Sequence, residues 1–240
     1  MAQRTEKLAE SVARQILRDI QSQRLRAGAT LPPESAMLER FAIGRGSLRE
    51  ALRILEVNGL VTLKPGPGGG PVVAAHDPRN FGQMATLHLQ SIGANYRQLL
   101  DARVEYETVL ARKAAEQEGD AAGETVRAAM DGTGQRSSED QLYSAATSGF
   151  HQAVGVASGN PVIALAAESI YAIWSVRVTA VLYPPEDREQ VAIEHEQITR
   201  AIEKHDARRA ERLMREHMLA YQEFCELRYP ARMDDIVDWK

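Results

Sequence analysis

From Phe81 to Arg228 apolar residues recur at three- and four-residue spacing through seven successive runs, and no alternating stretch interrupts them. The runs fall near Phe81 to Ser91, Asn95 to Glu118, Ala121 to Gly132, Ser138 to Ser158, Pro161 to Val181, Asp187 to His205 and Ala207 to Arg228. Gly93, Gly119, Gly132 with Gly134, Gly159-Asn160-Pro161 and Pro184-Pro185 separate them, which suits an antiparallel helical bundle with short connections. The chain is therefore expected to be mainly α.

The front of the chain reads differently. Leu8, Val12, Ile16, Leu17 and Ile20 make one helical stripe, ended by Gly28. Pro32-Pro33-Glu34 opens a short second helix, since proline suits the first turn and a carboxylate suits the positive helix end. A third helix is placed near Ser47, which forms a capping-box pattern with Glu50, and Gly59 stops it. Leu60 to Leu63 and Val72 to Ala74 read as two strands joined by the turn-rich Lys64 to Pro71. Three helices and a hairpin match a winged helix-turn-helix. The expected division is residues 1–75 for this domain, a linker over 76–80, the helical domain over 81–229 and a tail over 230–240.

Charge divides along the same line. Residues 1–75 carry 11 Lys+Arg and 7 Asp+Glu, a net of +4, whereas the remainder carries 18 and 26, a net of −8. A basic front end implies a polyanionic partner. The first residues lack the apolar stretch of a secretory signal, and the single cysteine, Cys225, has no partner for a disulfide, so a reducing cytoplasm is the expected compartment. Pro161 to Tyr183 is the most apolar window, but Glu168, Ser169, Ser175 and Arg177 would have to lie inside the bilayer. A buried helix, with no membrane partner, is the better reading.

On the third helix Arg45, Arg49 and Arg53 recur every four residues, away from the Leu48, Leu52, Leu55 face. Arginines there can donate paired hydrogen bonds to guanine edges in the major groove or hold phosphates. The succession Gly28-Ala29-Thr30-Leu31-Pro32-Pro33-Glu34, Arg45, Leu48-Arg49-Glu50-Ala51-Leu52-Arg53, Leu55-Glu56 and Gly59-Leu60-Val61 resembles the GntR family of regulators. The resemblance implies double-stranded operator DNA as partner. It assigns base contacts to Arg45 and Arg49, supporting contacts to Ser47 and Arg53, and a minor-groove wing to Lys64, Gly66 and Gly68. The chain departs from the family pattern at Ser35, where an arginine is usual, and at Gly44 and Gly46, where serine or threonine is usual.

In the helical part, His195 and His217 lie 11 residues either side of Asp206, near the expected turn between two antiparallel helices. Each is then about 16 Å from that turn at 1.5 Å per residue, so one ion can bridge them, and His151 can join. Phe150-His151, Ala157-Ser158-Gly159-Asn160, His195 with Ile198 and Ala201-Ile202, then Asp206, Ala210, Met214 and His217 are similar to the FCD effector domain of the FadR subfamily. That resemblance implies a homodimer and a divalent metal, Zn²⁺ or Ni²⁺, on the three histidines. The family's aspartate ligand corresponds to Thr147. It also implies a small carboxylate effector facing Arg103; a plain surface pair of Arg103 with Glu107 is the alternative for that arginine. Trp174 and Arg177, on the apolar Pro161 to Val181 helix, are further candidates for the same cavity, with core packing the favoured alternative for both.

The expectation is a non-enzymatic repressor relieved by its ligand. A metal-free regulator of the same class with a larger acyl or apolar effector is one alternative. The other is a three-histidine zinc hydrolase using Glu194 or Glu196 as base, opposed because neighbours of His195 on a helix point elsewhere.

Overall fold

The computed structural model describes residues 8–66, 69–75, 77–131, 133–177 and 182–238, without the side chains of Thr133, Val176 and Arg177. The chain forms two compact units, Met1–Phe81 and Gly82–Lys240. No described helix is long and apolar enough to cross a membrane.

In the first unit the order is α1 (Leu8–Ser22), α2 (Glu34–Phe41), α3 (Arg45–Val57), β1 (Val61–Lys64) and β2 (Gly70–Val73). The strands pair antiparallel with Val61 opposite Val73 and Lys64 opposite Gly70. The segment before α2 lies along the other edge of β2: Leu31 N–H donates to Pro71 O, and Val73 N–H donates to Ala29 O. Val12, Ile16, Met37, Leu48, Leu52, Leu55 and Val61 share one buried cluster, so the apolar faces of all three helices close on the root of the hairpin. Removing such side chains from water drives the packing, at roughly 25 cal/mol per Å² of apolar surface.

The expected cap of α3 is corrected. The helix begins at Arg45 with Gly44 as N-cap and no side-chain cap hydrogen bond, so Ser47 sits inside the first turn. A capping serine needs extended backbone, and here Gly44 takes that place with ψ 159°. Gly66, φ +95°, turns the hairpin where a side chain would be strained, and Gly68 lies outside the described residues.

The second unit holds most of α4 (Pro78–Ser91), then α5 (Tyr96–Ala115), α6 (Ala121–Met130), a 3₁₀ turn (Thr133–Arg136), α7 (Asp140–Ala157), α8 (Pro161–Arg177), a 3₁₀ turn (Pro185–Asp187), α9 (Arg188–Glu203), α10 (Ala207–Arg228) and α11 (Pro230–Asp234). Capping explains two starts. The Asn95 side chain accepts from Gln98 N–H while Gln98 Oε1 accepts from Asn95 N–H, and the Asp206 side chain accepts from Arg209 N–H. Helix α5 is central, packing against α7, α8, α9 and α10. Val104, Leu110, Phe150, Val154, Ile198, Ile202, Met214 and Met218 fill the core around it.

A second cluster, with Tyr96, Leu100, Trp174 and Cys225, also includes Met233 and Val237. Residues 230–238, read from the sequence as a tail, thus contribute a short helix, two wholly buried side chains and an Asn95–Ile236 bridge. The run is too short and too polar for a periodicity argument.

Candidate functional site

Arg45, Arg49 and Arg53 are exposed on α3, and none has a hydrogen-bond or ion-pair partner among the described residues. Leu48, Ala51, Leu52 and Leu55 bury the opposite face, so the four-residue spacing holds the three guanidiniums outward. Ser47 is half-buried in the first turn, and Lys64 is exposed at the end of β1. Elsewhere in this unit Arg40 is neutralised by Asp19 at 2.7 Å, which sets off the unpaired cations of α3.

In the helical unit α7, α9 and α10 bring His151, His195 and His217 together. One ligand atom from each lies within 4.8 Å of the other two, and all three residues are buried. His195 Nε2 and His217 Nε2 are 3.3 Å apart.

Their neighbours fix which nitrogen carries a proton. Gln135 Nε2 donates to Ala146 O at 3.0 Å, which turns its Oε1 towards His195 Nδ1 at 2.9 Å. An amide oxygen only accepts, so His195 Nδ1 is the protonated nitrogen. Glu194 Oε2 accepts from His217 Nδ1 at 2.8 Å, and Glu107 Oε2 accepts from His151 Nδ1 at 3.0 Å. Every Nδ1 is therefore a donor, which in the neutral ring leaves Nε2 as the lone-pair nitrogen.

Two facing lone pairs at 3.3 Å repel unless a cation lies between them. Two nitrogen ligands at about 2.0–2.1 Å from a tetrahedral ion stand roughly 3.3–3.4 Å apart, so the donor set fits a divalent metal of the Zn²⁺ type. Burial holds His151 and His195 below the ordinary imidazole value, keeping them neutral as ligation requires. Burial opposes the charge of Glu194, yet its hydrogen bond from His217 keeps it ionised below the usual carboxylate range.

A cavity of about 110 Å³ opens beside the histidines, its wall including Arg103, Thr147, His151, Trp174, His217 and Tyr221. The surface pair expected as the alternative for Arg103 is corrected: Arg103 and Glu107 are 3% and 2% exposed, a buried pair at 3.4 Å. The i,i+4 spacing on α5 brings them together, and the packing of α7, α8 and α10 around α5 removes both from water. The Arg103 guanidinium lies 4.9 Å from the Tyr171 ring centre, and its terminal amino groups have no hydrogen-bond partner among the described residues.

Thr147 is one turn before His151 on α7, and its buried Oγ1 finds no partner within hydrogen-bond distance among the described residues. Trp174 Nε1 donates to Tyr221 Oη at 2.9 Å, so it is both cavity wall and core. Arg177 ends α8, and its side chain lies outside the described residues.

Arg188, 2% exposed, fastens one wall. Its Nε donates to Tyr183 O at 2.9 Å, Nη1 to Ser137 O at 2.7 Å and Nη2 to Asp140, while the guanidinium lies 4.4 Å from the Tyr143 ring centre. Tyr143 and Tyr183 both line the cavity.

Sequence reasoning missed Gln135, Arg188, the cavity tyrosines and the roles of Glu107 and Glu194. The i,i+4 pairing of Arg103 with Glu107 was a readable signal, whereas Gln135 sits in a four-residue 3₁₀ turn that carries none.

Comparison with known proteins finds a family for each of the two units. The family described as "Bacterial regulatory proteins, gntR family" matches residues 8–69, and the "FCD domain" family matches residues 98–220. The HTH-type transcriptional repressor NanR of Enterobacter sp. (strain 638) is 28% identical over 88% of this chain and 83% of its own length. The uncharacterized HTH-type transcriptional regulator YcbG of Bacillus subtilis (strain 168) is 28% identical over 88% of this chain and 87% of its own length. The solved structure of Streptococcus agalactiae GntR covers 90% of this chain and 99% of its own, with a TM-score of 0.65 at 20% identity, which shows a common fold.

The two family matches on this fold define the class: a DNA-binding transcription regulator and not an enzyme. The chain belongs to the GntR family, as a member with a C-terminal FCD domain.

Proposed function

We propose that the chain is a homodimeric, cytoplasmic repressor of the FadR type, whose operator affinity is set by a small carboxylate bound next to a divalent metal. The observation that carries this reading is the convergence of three buried histidines, one ring nitrogen of each within 4.8 Å of the other two, beside a buried arginine whose terminal amino groups have no hydrogen-bond partner among the described residues. His151, His195 and His217 hold Zn²⁺ or Ni²⁺, which when bound supplies positive charge for a carboxylate oxygen. Arg103 takes the carboxylate in a charge-assisted pair, and Thr147 and Trp174 bound the remaining space, with Arg177 a further candidate from the sequence alone. At the DNA end Arg45 and Arg49 read bases, Ser47, Arg53 and Lys64 hold phosphates, and the wing with Gly66 and Gly68 enters the minor groove.

The Thr147 position favours a second reading, in which the cavity takes a larger acyl or apolar effector without metal. Elemental analysis and operator titration of the wild type, His195→Ala and Arg49→Ala decide between them. The expected result is one metal per wild-type and Arg49→Ala chain and none in His195→Ala, with sequence-specific DNA binding lost only in Arg49→Ala. Absence of metal from every protein supports the second reading, and full operator affinity in Arg49→Ala overturns the DNA assignment.

A further inference from the structure

Glu107 touches both halves of the buried site. Its Oε1 accepts from Arg103 Nε at 3.4 Å and its Oε2 accepts from His151 Nδ1 at 3.0 Å. Arg103, Glu107 and His151 are 3%, 2% and 7% exposed, so bulk solvent screens the three only weakly. Arg103 and Glu107 are one turn apart on α5, while His151 arrives from α7. One carboxylate therefore divides its charge between an arginine that faces the cavity and a histidine that faces the metal position.

We propose that Glu107 is a positioning residue that couples the two: through it, an anion on Arg103 changes the affinity of the histidines for metal without touching the metal. The inference rests on reading the three histidines as a metal site. A carboxylate on Nδ1–H makes the opposite Nε2 a stronger donor, and partners of this kind change metal affinity by about 10- to 100-fold when removed. Charge that Arg103 draws from Glu107 is charge His151 does not receive. An anion paired with the terminal amino groups of Arg103 compensates the guanidinium and returns that share to His151, so anion and metal each tighten the other by the same factor.

The test uses the metal alone. Ni²⁺ affinity is measured by chelator competition on the wild type, Arg103→Gln, Glu107→Gln and the double variant. Arg103→Gln, which removes no hydrogen bond to a histidine, is expected to tighten Ni²⁺ several-fold, and Glu107→Gln to weaken it about tenfold or more. The double variant separates the direct field of Arg103 on the histidines from the part carried by Glu107. In the double variant the gain from Arg103→Gln falls to less than half its size on a logarithmic scale. Equal gains in both backgrounds, or no gain from Arg103→Gln, overturn the coupling while leaving the metal site standing. A wild type that binds no Ni²⁺ overturns both.

Glu107→Gln leaves a buried guanidinium uncompensated and can compromise folding. A second measurement therefore uses the wild type: ¹⁵N resonances of the His151 ring and Arg103 Nε, followed as Zn²⁺ is added. The metal-free ring is expected to be protonated at Nδ1, and the Arg103 Nε signal to move in step with the ring signals. A stationary Arg103 signal overturns the proposal.

Discussion

At the scale of single residues, the buried imidazoles set how the protein responds to acid. Burial keeps His151 and His195 below the ordinary imidazole value, with the charges of His217, His151 and Arg103 adding to the effect on His195. As the pH falls through about 6.5 the unfolded chain takes up protons at these positions and the folded chain does not. The unfolded state then binds more protons, so stability declines with falling pH. In the presence of a chelator the melting temperature is expected to drop between pH 7 and pH 5, and a flat profile contradicts the assignment. Carboxylates held low, such as Glu194 and Glu196, contribute above the ordinary value of 4.5 and lose that contribution only at lower pH, a separate window. The sequence shows the histidines through their spacing about Asp206, but not their acceptors. Glu107 reads as one more surface carboxylate until α7, α8 and α10 close around it, because burial is a tertiary property.

At the scale of elements, the seven apolar runs of the second half each correspond to a helix, because glycine and proline break them and periodicity survives in between. The start of α3 is where local pattern misleads. Ser47 and Glu50 have the spacing of a capping box, yet the helix starts two residues before Ser47, at Arg45, behind a Gly44 N-cap that offers no side-chain hydrogen bond. Gly46 lies in that first turn, and a methyl group placed there meets nothing within 4 Å. Replacing it removes backbone freedom from the unfolded chain, so Gly46→Ala is expected to stabilise the protein by roughly 0.5–1 kcal/mol. Chemical denaturation reads this directly, and destabilisation would show that the glycine is needed by the fold.

At the scale of the whole molecule, the division of charge is the part most legible from sequence alone. The front end carries +4 and the remainder −8, and the structure leaves Arg45, Arg49 and Arg53 unpaired on one exposed helix face. Cations without protein partners are free to displace counterions from DNA. For two chains on an operator the logarithm of affinity is expected to fall with the logarithm of salt with a slope of roughly −4 to −7. A slope near zero, measured by fluorescence anisotropy between low and physiological salt, would rule out the phosphate contacts.

Arg188 carries a further consequence, for what can vary among relatives. One planar group serves Tyr183, Ser137 and Asp140 in three directions and lies against Tyr143, and a lysine, with a single point of charge, cannot reproduce that fork. The two tyrosines that flank the cavity are thereby tied to one fastening. Descendants of this chain can explore new effectors by exchanging side chains in the lining, such as Ser144, Thr147 or Leu182, without reopening the frame that holds them. Exchanging Arg188 instead would release both tyrosines at once.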